Sequence, residues 1–169
     1  MADRTDALHE AKRPRTPIAG PYGHPFHPIL VTIPIGTWVA AVIFDIIGFV
    51  AEDSEPYVVG AMILVLIGLI GAVLAAIFGL IDMLGIAAGT TARKTALTHM
   101  GINLVAVVLM LVSLLVRYNA DRDEVSVLGF VLSLVALAGL GVSGWLGGKL
   151  AYHYGVRVAD EVTQADGFR

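Results

Sequence analysis

The chain has 169 residues, 57% of them hydrophobic and 15% charged, with a mean hydropathy of +0.81 and a net charge of −3. Soluble domains carry about a quarter charged residues, so this composition points to a single domain dissolved in lipid. The small net charge without a basic stripe gives no nucleic-acid partner, and the lack of cysteine excludes disulfides, thiolate metal sites and iron–sulfur ligation by this chain alone.

The N-terminal stretch MADRTDALHEAKRPRTPIAGPYG is polar and carries no signal-peptide core, because the apolar run that follows starts only near Ile29 and is too long. Residues 1–22 are therefore expected to be a flexible cytoplasmic tail in which His9 is solvated. The segment HPFHPILVTIPIG, His24 to Gly36, opens the first apolar run. Proline disfavours helical geometry in the residue before it and suits the first helical turn. On that basis His27 caps the first helix, with His24 one extended step earlier, and Pro34 bends the helix near Leu30.

About 20 mostly apolar residues cross the roughly 30 Å hydrocarbon core of a membrane. Four segments reach that length: Pro28 to Val50, Tyr57 to Ile86, Ala96 to Tyr118, and Val125 to Leu150 with a continuation toward Tyr154. Short connections make antiparallel neighbours, so the expected fold is all-α, an integral membrane four-helix up-down bundle over residues 23–156, followed by a C-terminal tail from 157 to 169. Arg4, Lys12, Arg13, Arg15, Arg93, Lys94, Lys149, Arg157 and Arg169 fall on one side of this layout, and only Arg117 and Arg122 on the other. The positive-inside rule then places both termini and the loop around Ala87–Thr98 in the cytoplasm.

The 19 glycines crowd the second and fourth spans, where Gly144 and Gly148 have the GxxxG spacing. Small residues let membrane helices approach closely, either within the protomer or along the seam of a homo-oligomer. Trp38 and Trp145 read as packing or interfacial anchors, and Tyr152 and Tyr154 as an interfacial belt. Arg117 is expected to snorkel at the outer end of the third span, with Asp45 its candidate partner.

The remaining polar residues gather at one level. Asp82 ends the second span; His99 and Asn103 open the third, four residues apart and so on one helix face; Trp145, Lys149 and His153 close the fourth at the same spacing. His24 and His27 stand at the same depth. Ionisable groups within a span cost about 2.5–3.5 kcal/mol on insertion scales and face a partner or a cavity. Either these groups satisfy one another, or they form a site. Imidazole ligates metals and the iron of b-type haem. A haem site would draw on His27, His99, Asn103 and His153; a divalent-metal site would draw on His24, His27, Asp82 and His99. In both, His99 is central, with Asp82 accepting its second ring proton.

The motifs HPFHPILVTIPIGTW, GLIDM, TALTHMGINL and GWLGGKLAYHYGVRV together resemble a bacterial membrane-protein family catalogued as a domain of unknown function, number twenty-two thirty-one. The resemblance covers about residues 22–158 and implies a four-helix integral protein with no assigned reaction. Its layout is similar to that of small four-helix b-type cytochromes, and the association of relatives with Rieske or c-type cytochrome modules implies electron transfer with a redox partner protein. No nucleophile–base pair or phosphate loop suggests an ordinary enzyme. A structural or partner-binding subunit, in which the polar cluster only ties the helices together, is the alternative.

Overall fold

The computed structural model describes residues 4–12, 20 and 24–168. The described chain is helical throughout: α1 (Arg4–Lys12), α2 (Phe26–Leu30), α3 (Thr32–Gly48), α4 (Glu55–Leu84), α5 (Thr91–Tyr118), α6 (Val127–Gly148), a π-helical turn (Lys149–His153) and α7 (Glu161–Asp166). Four stretches are long and apolar enough to cross a membrane: Phe26–Gly48, Glu55–Leu84, Thr91–Tyr118 and Val127–His153.

Local chemistry sets the boundaries. Pro25 precedes α2, so His27 lies inside the helix rather than capping it. The first span breaks at Val31, three residues before Pro34, whose ring cannot donate to the carbonyl of Leu30. Pro56 sits in the first turn of α4, where a missing N–H costs nothing. The Thr90 and Ser126 hydroxyls accept from the backbone N–H groups of Arg93 and Gly129 and start α5 and α6. Arg93 reaches back across the connection to donate to the carbonyls of Met83 (2.6 Å) and Ile86 (3.1 Å), closing the orphaned end of α4.

The first span packs chiefly on α4, and α5 chiefly on α6, giving two hairpins that join along α4–α5 and α3–α6. In this arrangement the first and third spans face each other across the bundle axis. Glycines on α4 make the first hairpin tight. A Cβ at Gly60 would lie 2.5 Å from the Phe44 ring, one at Gly71 would lie 2.6 Å from Ile33, and one at Gly68 would overlap the indole of Trp38. Trp38 is buried and donates to the carbonyl of Val65 at 3.2 Å. The core around it is built from Ala41, Ala61, Val65, Leu69, Ala72, Ala106, Met110 and Ala136. Large apolar side chains such as Ile43, Ile70, Leu104 and Val135 point outward, as lipid-facing positions do.

Two expectations are corrected here. Gly144 has no atom within 4 Å of where its Cβ would be, and Gly148 meets only Tyr152, so this pair does not serve packing within the protomer. Residues 4–12 of the expected tail form helix α1, whose Ala11 carbonyl accepts from the N–H of Arg157 at 3.0 Å and whose Lys12 pairs with Glu161 at 2.5 Å. The rest of residues 1–22, except Gly20, lies outside the described residues.

Candidate functional site

Both chain ends and the α4–α5 connection share one end of the bundle, called here the terminal end. His27 projects from α2 onto the Ala75, Gly79 and Asp82 face of α4. Its Nδ1 lies 2.8 Å from the carbonyl of Ala75. A carbonyl only accepts, so Nδ1 carries a proton, and in the neutral ring Nε2 then holds the lone pair. Gly79 makes this possible: a Cβ there would come 2.9 Å from the ring.

His99, on α5, repeats the arrangement against α6. Its Nδ1 is 2.8 Å from both the carbonyl and the hydroxyl of Ser143, and that hydroxyl is 3.3 Å from the His99 carbonyl, to which it donates. Gly147 leaves room for the ring. The Asn103 amide donates to Nε2 at 3.0 Å, one turn along the same face. The His27 and His99 rings meet across the bundle axis with centroids 6.2 Å apart and planes at 86°.

Of the other residues expected at this level, Asp82 lies on the α4 face beneath His27 but bonds neither ring, and His24 and His153 stand apart. Asp82 pairs with Arg157 at 2.9 Å, Nε to Oδ1, while the ring proton of His99 goes to Ser143; Asp82 is therefore not the acceptor expected for it. His24 is exposed in extended chain before α2. His153 is exposed and meets Tyr154 edge to face, with centroids 4.9 Å apart and planes at 71°. The reason lies in the π-helical turn, closed by the N–H of Tyr154 on the carbonyl of Lys149. Each such turn holds an extra residue, so the four-residue spacing from Lys149 no longer keeps His153 on one face. Among the described residues no group of three or more His, Cys, Asp or Glu side chains could hold a metal ion, so the quartet His24, His27, Asp82 and His99 is not assembled.

Residues 23–160 match the family described as Predicted membrane protein (DUF2231). The chain belongs to this family. The match spans all four candidate membrane helices and both histidines of the axial pair, so this DUF2231 member is a membrane protein with its polar groups inside the shared region. No curated protein and no solved structure matches the chain.

A second polar centre sits at the opposite end of the bundle, and sequence reasoning reached only its two charges. Asp45 and Arg117 form a bidentate pair, Nη1 to Oδ1 and Nη2 to Oδ2 both at 2.6 Å, with both side chains buried. Arg117 does not snorkel. Its Nε donates to Ser113 at 3.1 Å and Nη2 to Ser133 at 3.2 Å, and both hydroxyls lie within hydrogen-bond distance of the Gly129 carbonyl. The signal that could have found the serines was periodicity: Ser113 is one turn before Arg117, and Ser133 one turn after Gly129.

Proposed function

We propose that the protein is a membrane-embedded redox module that holds b-type haem iron between His27 and His99. The observation that supports this reading is the matched pair of imidazoles, each fixed through Nδ1–H to a backbone carbonyl of a different hairpin. Metal-ligating histidines almost always anchor their second nitrogen in this way, which sets the tautomer and aims Nε2 at the metal. The donor count separates a haem from a bare ion. A zinc site takes three or four protein ligands, and no such group exists among the described residues. Haem iron brings four nitrogens of its own and asks the protein only for axial ligands. When bound it supplies one-electron transfer. Ala75 and Ser143 would orient the rings, Asn103 would release Nε2 of His99, and a redox partner protein would dock at the terminal end.

Protein purified from iron- and haem-replete cells is expected to show a Soret band. His27→Ala and His99→Ala abolish it, whereas His9→Ala, His24→Ala and His153→Ala retain it. A colourless wild-type protein overturns the reading. The Asn103–His99 hydrogen bond favours a second one, in which the cluster only ties helices in a structural or partner-binding subunit. Under that reading no variant changes the absorption spectrum, and His99→Ala acts only on thermal stability.

We infer from the nine-to-two distribution of Lys and Arg that the terminal end is cytoplasmic and the membrane a bacterial inner membrane. Reporter fusions at residues 54, 90, 121 and 169 should then read out, in, out, in.

A further inference from the structure

His27 and Asp45 are 18 residues apart on the first span, and His99 and Arg117 are 18 apart on the third. Eighteen residues of continuous α-helix are five turns, about 27 Å, and return to the same face, as in the third span. In the first span the break at Val31 still leaves His27 and Asp45 turned toward the third span, where they meet His99 and Arg117. The first and third spans therefore each present two polar side chains to the bundle axis, and the pairs meet at matching levels: rings 6.2 Å apart at the terminal end, a bidentate ion pair at the other. Between these levels the core is mostly small and aliphatic, Ala41, Ala61, Val65, Ala72, Ala106 and Ala136, with larger side chains at Trp38, Leu69 and Met110. Trp38 seats against Gly68 and Val65 of its own hairpin, so it aligns α3 with α4 rather than one hairpin with the other. The alanine layers constrain sliding of one hairpin past the other weakly, because one resembles the next.

We propose that the Asp45–Arg117 pair is a register lock: it fixes the axial alignment of the diagonal spans and so sets His27 opposite His99, five turns away. The fork geometry suits this task. Four of the five guanidinium donors are committed, two to Asp45 and one each to Ser113 and Ser133, so a slip by one turn breaks several directional bonds together. Buried ion pairs contribute little net stability relative to well-packed apolar side chains, while in some systems they select one arrangement among several. Asp45 and Arg117 are positioning residues under this proposal. It does not depend on any bound group, since its readout is a distance.

The chain has no cysteine, so two introduced cysteines are the only labelling sites. Ile29 and Leu111 are exposed, lie on the two diagonal spans and are offset along the axis. Spin labels on Ile29→Cys and Leu111→Cys therefore report axial sliding as a change in pairwise distance. The informative background is the paired replacement Asp45→Leu with Arg117→Met, which removes the lock and leaves no unpaired charge. We expect one narrow distance without the replacement. With it, we expect a split or broadened distribution containing a component slipped by one turn, about 5.4 Å along the axis, and an unchanged helical circular-dichroism signal. Arg117→Lys, which keeps the opposite charges but loses the fork, is expected to broaden the distance distribution less than the apolar pair does; a distribution as broad as that of the apolar pair assigns the lock to the fork, and a single narrow distance assigns it to charge. A single unchanged distance in the apolar pair overturns the proposal. So does loss of helical signal in that pair, which would make Asp45–Arg117 a requirement for folding rather than for alignment.

Discussion

At the scale of single residues, His99 and Arg117 show how polar groups within the spans are satisfied. His99 has partners for both ring nitrogens, and Arg117 commits four donors. Removing one partner is therefore costly where removing both is not. Asp45→Ala should destabilise the protein by about 3–5 kcal/mol, because it leaves a guanidinium buried without its carboxylate. Ser113→Ala, which withdraws one hydroxyl from the same network, should cost about 1 kcal/mol. Chemical unfolding in mild detergent measures both. The charges themselves were legible from their places inside apolar runs. Their pairing, a candidate in the sequence, is borne out; its bidentate form and the two serines around it were not legible, since they depend on how two residues 72 apart in the chain meet in space. The same holds for Asp82. Its depth was readable, but its partner Arg157 lies beyond a π-helical turn and the left-handed Gly155, and is itself left-handed. No periodic pattern announces such a path.

At the scale of elements, the four spans were readable to within a few residues at most ends, because membrane helices must satisfy every backbone group internally and reveal themselves by length and apolarity. The start of α5 lies five residues earlier than expected, at Thr91, since the capping Thr90 brings a polar turn, TARK, into the helix. What composition could not assign was the role of each glycine. Gly68 lies under the buried Trp38, whereas Gly144 faces open space. Gly68→Ala should lower the melting temperature by forcing the indole from its pocket and off the Val65 carbonyl. Gly144→Ala should leave it unchanged or raise it slightly, glycine being about 1 kcal/mol worse than alanine within a helix. Trp38 fluorescence during heating, read in a Trp145→Phe background, distinguishes the two.

At the scale of the whole molecule, two hairpins are joined by polar contacts near both membrane faces, and the chain ends are drawn together beyond one of them. This last contact has a pH dependence. The Lys12 ammonium holds the exposed Glu161 carboxyl below its ordinary value. A carboxyl lowered on folding stabilises the fold above its unfolded pKa, and the benefit fades as pH falls through the lower folded value. Acidification below about pH 4.3, the ordinary glutamate pKa, should therefore loosen α1 progressively. Amide hydrogen exchange in Arg4–Lys12 should accelerate over that window, and Glu161→Gln should remove the dependence.

The pairing of Asp45 with Arg117 also has a history within each molecule. A ribosome adding about 5–20 residues per second needs roughly 4–14 s to travel from one to the other. Throughout that interval the first span, joined part-way by the second, carries a carboxyl group without its cation. During insertion the aspartate is therefore either protonated or still beside water until the third span brings Arg117. Only then can the two hairpins, synthesised in sequence, close this polar contact.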